Sequence, residues 1–294
     1  MAIVIAGNNL ASYVNLQHNK IYSEMSNSIR KLSTGLRITS ASDDPAGLAV
    51  SEFMRSDITT LNQGERNLND AISLTQTASG ALDNINSQLV KMKTLAEQAA
   101  TATYTDEQRI ILQSEFTTLG AEIDRISNET TYNDINLLDG SLKSTSTYLT
   151  ESGWSEPNSG LLIHFGTNAN RNSDYYYISI PKIDTNAVFE NTIPTIESQA
   201  SAQSALSSID SAIAKNSNYQ AYLGGIQNRL ESSLDSISQK KANLDNAYDK
   251  LTNIDVAQEM TKYVTLSVLN QMNLFMMSQA NLLPQIALKL LSFE

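Results

Sequence analysis

The stretch ALDNINSQLVKMKTLAEQAA, residues 81–100, decides the fold class. Its apolar side chains recur every three or four residues, and they are Leu82, Ile85, Leu89, Met92, Ala96 and Ala99. Such spacing is a heptad seam, which predicts a long helix packed against a partner helix. The helix is expected to end around residues 101–104, and Thr105 with Gln108 predicts a capping box that starts the next helix.

A second seam lies between residues 223 and 251, where apolar side chains again recur every three or four residues. Between the two seams, residues 161–165 and 175–180 are rich in β-branched and aromatic residues and predict a hairpin. Helices that are distant in the chain and carry matching seams pack most simply on each other. The sequence therefore predicts a mainly α fold. Its N- and C-terminal segments form a long antiparallel helical rod or coiled coil, with a small β-hairpin insert at the tip.

The two terminal helices carry more apolar surface than one helix pair can bury. The first helix has an apolar stripe that ends near Gly35. The last helix runs from about Val256 to Leu283 and carries apolar residues around much of its circumference. Exposed patches of this size mark association surfaces, so this end is expected to be disordered in the free chain or buried in an assembly. The residues expected to mediate assembly are Leu16, Ile21, Met25, Ile29, Leu32, Val264, Val268, Met272, Phe275 and Leu283.

Composition argues against several other classes of protein. The 294-residue chain has a net charge of −11, which disfavours binding to nucleic acid or to anionic membranes. It has no cysteine, its two histidines lack a partner at ligand spacing, and no nucleophile elbow or phosphate-binding loop occurs. No run of apolar residues is long enough to span a membrane, and no secretory signal is visible. We therefore expect a protein that is not an enzyme and has no cofactor or metal.

Four motifs resemble those of bacterial flagellins. STGLRITSASDDPAGLA at 33–49 is similar to their N-terminal signature, and YLGGIQNRLE at 222–231 is similar to the start of their C-terminal region. IDVAQEMT at 254–261 and QANLLPQ at 279–285 are similar to the last two motifs. Their order and their distances to both termini also agree, and the resemblance covers roughly residues 1–140 and 195–291.

The resemblance implies a division into two domains and an extracellular location. Residues 1–43 plus 254–294 would form the terminal coiled-coil domain of the filament's inner core. Residues 44–253 would form the rod domain, with a variable insert at 141–193, no full outer domain, and at most a small excursion near 144–160. Export would proceed unfolded through the flagellar type III apparatus, and the extracellular filament would serve motility. The implied partners are other copies in a helical homopolymer, an export chaperone, and cap and hook-associated proteins.

The resemblance also implies a candidate site for the vertebrate Toll-like receptor that senses flagellin. Residues 89–98 resemble its main contact stretch, in which Lys91 stands where receptor-active members usually carry arginine, and Leu95 and Glu115 match further contacts. Lysine keeps the charge but loses the planar fork of arginine, which predicts weaker recognition. The alternative is that these lysines are ordinary exposed helix residues.

Two other functions stay open at this point. A hook–filament junction protein shares the terminal helices and part of the motif around Asp43-Asp44-Pro45, although the full match at 222–231 favours a flagellin. A soluble coiled-coil adhesin or receptor domain would instead have ordered termini in a stable monomer.

Overall fold

The computed structural model describes residues 8–142, 160–168, 174–189 and 193–291, without the side chains at 283, 287, 288, 290 and 291. The chain divides into two compact units, Met1–Ser56 with Asn243–Glu294, and Asp57–Ala242. The expected excursion near 144–160 lies, apart from Gly160, outside the described residues. The elements are α1 Asn9–Thr34, α2 Pro45–Ala100, α3 Asp106–Glu129, β1 Thr131–Tyr132, β2 Ile135–Asn136, β3 Leu161–His164, β4 Tyr175–Ile178, α4 Thr185–Val188, α5 Gln199–Thr252 and α6 Val256–Leu291.

The helices begin and end at the signals in the sequence. Gly35 ends α1 with a φ of 71°, a left-handed conformation that suits a residue without a Cβ atom. Before Pro45, the Asp44 Oδ1 atom accepts a hydrogen bond of 2.9 Å from the backbone N–H of Gly47, which caps α2. Thr105 and Gln108 form the predicted capping box of α3.

Long antiparallel helices form the core of the unit Asp57–Ala242. All six seam residues of the stretch 81–100 are fully buried, and Leu223, Leu230 and Ile237 of α5 are buried too. Ion pairs join α2 to α5 toward both ends of the unit: Lys93 Nζ lies 2.7 Å from Asp210, and Lys241 Nζ lies 2.6 Å from Glu65. The mainly helical class is therefore confirmed.

The predicted hairpin is present, with β3 antiparallel to β4. It packs beside Gly64, where an added Cβ atom would lie 2.2 Å from the carbonyl oxygen of Phe165. On the α5 side, the Arg229 guanidinium lies 3.7 Å from the centre of the Tyr176 ring. Gly64 is about 54 Å along α2 from Ala100, so the hairpin does not lie at the far end of this helix. It packs there because only a glycine admits a carbonyl so close to the helix backbone.

A buried arginine fixes the turn between α2 and α3. Arg109 donates from Nε to the carbonyl of Ala99 at 2.7 Å and from Nη2 to the carbonyl of Thr101 at 3.0 Å. It also pairs with Asp106 at 2.7 Å. These carbonyls at the end of α2 have no intrahelical partner, and the guanidinium satisfies them with charge-assisted bonds. The contact makes α3 return antiparallel to α2.

Candidate assembly surface

Helices α1 and α6 form an antiparallel pair within the unit made by the two terminal segments. At one end, the Asn8 side chain donates to the carbonyl of Ala280 at 2.8 Å. At the other end, the backbone N–H of Ile254 donates to the carbonyl of Gly35 at 3.0 Å. Together these bonds set a register in which the residue numbers of opposite positions add to about 288.

The face of α1 that packs on α6 repeats every seven residues. Val14, Ile21 and Ser28 are buried there, and Met25 and Leu32 are half-buried. Leu16 and Ile29, which the sequence assigned to assembly, are 70% and 47% exposed. These two residues therefore lie off the face that packs on α6, because α-helical geometry turns Leu16 about 200° away from Val14.

The apolar side of α6 faces away from α1. Its buried positions are Leu266 and Ala280. The exposed positions form a stripe on the opposite side, hereafter the apolar stripe, which consists of Val264, Val268, Met272 and Phe275. Two of them, Met272 and Phe275, are 57% and 78% exposed. All four belong to the set that the sequence assigned to assembly, and the side chain of the fifth, Leu283, lies outside the described part of the chain.

A carboxylate organises the link between α1 and α2. Asp43 accepts hydrogen bonds from the Thr39 hydroxyl at 2.8 Å and from the backbone N–H groups of Thr39 and Ser40. These bonds, first among them that from the Thr39 hydroxyl, stabilise the charged form and lower the pKa of Asp43 to about 2. Lys31 contributes through an ion pair of 3.9 Å. The segment that matches the N-terminal motif is thus a hydrogen-bonded turn.

The candidate receptor residues lie on the other unit, and only two of the three reach the surface. Lys91 and Glu115 are exposed, whereas Leu95 is buried. Since α2 and α3 run antiparallel from the contact between Arg109 and Ala99, Lys91 and Glu115 lie at similar heights on neighbouring helices. Leu95 is buried next to the seam residue Ala96 of α2 and is therefore not available for a direct surface contact.

Family models match both ends of the chain. Residues 5–143 match the bacterial flagellin N-terminal helical region, and residues 206–291 match the bacterial flagellin C-terminal helical region. The chain belongs to the bacterial flagellin family. The two matched regions contain α1, α6 and most of both seams, so the motifs recognised in the sequence and the surface described above belong to the same family pattern.

Similar proteins agree with this assignment. A flagellin of Halalkalibacterium halodurans is 37% identical over 264 residues, which cover 90% of each chain. The flagellar filament 33 kDa core protein of Treponema phagedenis is 34% identical, over 90% of this chain and 91% of its own. A solved structure from Vibrio parahaemolyticus, described as a hook-associated protein, has a TM-score of 0.55 at 17% identity and covers 72% of this chain and all of its own. That likeness concerns the fold alone.

Among the described residues, no cluster of three or more His, Asp and Glu side chains is arranged as a metal site, and none of the helices contains an apolar run of membrane-spanning length. Sequence reasoning missed that the side of α6 that faces α1 is partly polar. The residues concerned, Glu259, Leu266, Asn273 and Ala280, follow one another at intervals of seven, but a half-polar seam of this kind is not recognisable in the sequence alone.

Proposed function

We propose that this chain polymerises into a flagellar filament through the pair formed by α1 and α6, and that the apolar stripe of α6 contacts neighbouring copies. As a member of the flagellin family the chain is a structural subunit of the flagellar filament, and no catalytic role is proposed. The expected division into a terminal domain, residues 1–43 plus 254–294, and a rod domain, residues 44–253, is part of this proposal.

The orientation of α6 is the main observation that supports the proposal. A helix that packed only on α1 would gain most by turning its apolar side inward, yet Val268, Met272 and Phe275 face outward. Exposed apolar stripes of this length mark association surfaces, and here every copy would carry the same stripe. On α1, Leu16 and Ile29 extend the exposed apolar area. An assembly that encloses the pair on several sides would bury all of these residues.

Seeded polymerisation tests the proposal. Purified full-length chain is mixed with short filament fragments and viewed by negative-stain electron microscopy, beside a chain that lacks residues 256–294. We expect long filaments from the full chain and none from the truncated one. A matched control keeps α6 but replaces the exposed Gln271 with alanine, and it should polymerise normally. Filaments from the truncated chain would contradict a role for α6.

The proposal extends to the route by which the chain reaches the filament. We infer export in an unfolded state through the flagellar type III apparatus, with a chaperone on the C-terminal helix and with cap and hook-associated proteins at the growing end. The exposed apolar stripe supports a chaperone, because such a surface would aggregate in a concentrated solution. Co-purification of the chaperone with the full chain, but not with the chain that lacks 256–294, is the expected result.

Recognition by the vertebrate flagellin-sensing Toll-like receptor is a further proposal. The exposure of Lys91 and Glu115 at similar heights on α2 and α3 supports it. Binding of the chain to purified receptor ectodomain should be saturable and should weaken in Lys91→Glu. An absence of saturable binding would remove the proposal without affecting polymerisation.

The alternative, a hook–filament junction protein, predicts a different product in the same polymerisation assay. Such a protein would add a thin layer to existing hooks and would not extend into filaments. The relatives that are 37% and 34% identical favour the filament subunit.

A further inference from the structure

Helix α6 carries three of the chain's eight methionines in exposed positions. Met260, Met272 and Met276 expose 45%, 57% and 51% of their surfaces. By contrast, Met92 in the seam of α2 is fully buried. The chain has no cysteine, so its oxidisable sulfur atoms are all thioethers. An oxidant in solution therefore reaches the thioethers of α6 before that of Met92.

Met272 lies in an entirely apolar part of the surface of α6. Side chains three and four residues apart are neighbours on a helix. The four neighbours of Met272 at these spacings are all apolar and all exposed in the single chain, and they are Val268, Leu269, Phe275 and Met276. None of them can donate a hydrogen bond. Met272 is thus at the centre of the apolar area that neighbouring copies are proposed to cover.

Met276 has a similar exposure but different neighbours. Asn273 and Gln279 lie three residues before and after it, and each carries an amide group that can donate. The Asn273 Nδ2 atom is buried and makes no hydrogen bond to any described residue. An oxygen atom added to the sulfur of Met276 would therefore have donors within reach on its own helix. An oxygen atom added to Met272 would have no such donor among its four neighbours.

We propose that Met272 is an oxidation site that controls polymerisation, because its sulfoxide prevents the burial of the apolar stripe between copies. This inference rests on the proposed function. The oxidant is of the peroxide class: the thioether sulfur attacks one oxygen of hydrogen peroxide, the O–O bond breaks and an S–O bond forms. The sulfur is oxidised to the sulfoxide and the peroxide is reduced to water. Methionine sulfoxide reductases reverse the step, since two thiols are oxidised to a disulfide while the oxygen leaves as water.

The penalty arises when the sulfoxide leaves water. Its oxygen is a polar acceptor that is hydrated in the free chain, and an apolar contact between copies would cover it without a donor. Oxidation of Met276 should be tolerated, because the amide groups of Asn273 and Gln279 can replace the lost water. The two methionines therefore form a matched pair of similar exposure and opposite expected effect.

The test uses full-length chains that all carry Met260→Leu, so that the exposed thioethers of α6 are those of Met272 and Met276. Met272→Leu or Met276→Leu is added to this background, since leucine keeps a similar apolar volume and has no sulfur. Each free chain is treated with hydrogen peroxide, and the sulfoxide at each position is quantified by peptide mass spectrometry. The critical concentration is then measured by sedimentation of seeded mixtures, before and after treatment with methionine sulfoxide reductases.

Peroxide should raise the critical concentration by about tenfold or more in the background chain and in the chain with Met276→Leu, as expected for one polar group buried without a partner. The chain with Met272→Leu should change by less than about twofold. The reductases should restore the original critical concentration. As a measurement without oxidant, Met272→Gln should raise the critical concentration by a similar factor, and Met276→Gln should not.

Three results would overturn the inference: an equal rise in the chain with Met272→Leu, an unchanged critical concentration in a chain whose Met272 is largely sulfoxide, or a rise that persists after the sulfoxide has been reduced. Equal effects of Met272→Gln and Met276→Gln would also contradict it. Failure of the proposed function is a separate observation, since it consists of an untreated, unchanged chain that forms no filaments.

Discussion

Phe275→Ala isolates the contribution of the apolar stripe to polymerisation. Phe275 is the most exposed member of the stripe, with 78% of its surface accessible in the single chain. If neighbouring copies cover the stripe, its ring passes from water into an apolar contact for every subunit added. Alanine keeps the helix and removes the ring, so the substitution changes the contact between copies and leaves the fold of one copy intact.

The expected effect follows from the exposed area. An aromatic side chain exposes roughly 200 Å² when free, of which about three-quarters, roughly 150 Å², is accessible here. At about 25 cal/mol per Å² the ceiling is about 4 kcal/mol per subunit. The alanine methyl group retains part of this burial, and neighbouring copies cover the ring incompletely, so we expect a loss of about 2 kcal/mol. Each 1.4 kcal/mol is about a factor of ten, which gives an increase of about 30-fold in the critical concentration.

The critical concentration is measured by sedimentation of seeded mixtures across a dilution series. Gln271→Ala is the matched control, because Gln271 is an exposed polar residue one turn earlier on the same helix. The control should change the critical concentration by less than about twofold, in line with the small effects of surface substitutions. An equally small change for Phe275→Ala would refute the assignment of the apolar stripe to the contact between copies.

Three further predictions concern the fold. Gly64→Ala places a Cβ atom 2.2 Å from the Phe165 carbonyl oxygen and should destabilise the unit Asp57–Ala242 by about 1–3 kcal/mol in urea unfolding. The control is Gly80→Ala, whose added Cβ atom would meet nothing within 4 Å outside its own helix, and it should be neutral or stabilising. Arg109→Lys loses the bidentate contact with two carbonyls at the end of α2 and should lower the free energy of unfolding by about 2 kcal/mol in the same assay. An unchanged urea midpoint would contradict the role of the buried guanidinium group. The pKa of Asp43 is lowered from 3.8 to about 2, so its contribution to the stability of the folded chain should be complete above pH 3.8 and lost as the pH falls through about 2, and Asp43→Asn should reduce this pH dependence in urea unfolding.

Local features were predictable because they depend on a few neighbouring residues. Gly35 ends a helix because it adopts positive φ, and Thr105 with Gln108 starts one because the two side chains satisfy free N–H groups. The seam of residues 81–100 could likewise be predicted, since apolar residues that recur with a period near 3.5 indicate a helix packed against another helix. For the same reason the resemblance to flagellins, carried by four local motifs, is confirmed at the level of the family.

Two features needed the tertiary structure. The place of the hairpin depends on the contact between Gly64 and Phe165, which are separated by a hundred residues and linked by no sequence pattern. The rotation of α6 also needed the structure, because amphipathicity alone would turn the apolar stripe toward α1, whereas the structure places that stripe on the outside.

The sequence by itself determined the helices, their ends and the family, since each follows from short-range periodicity or from the conformation of one or two residues. Only the tertiary structure decided which side of α6 faces α1. That choice depends on the packing of two helices at opposite ends of the chain, whose register is set by contacts such as those of Asn8 with Ala280 and of Ile254 with Gly35.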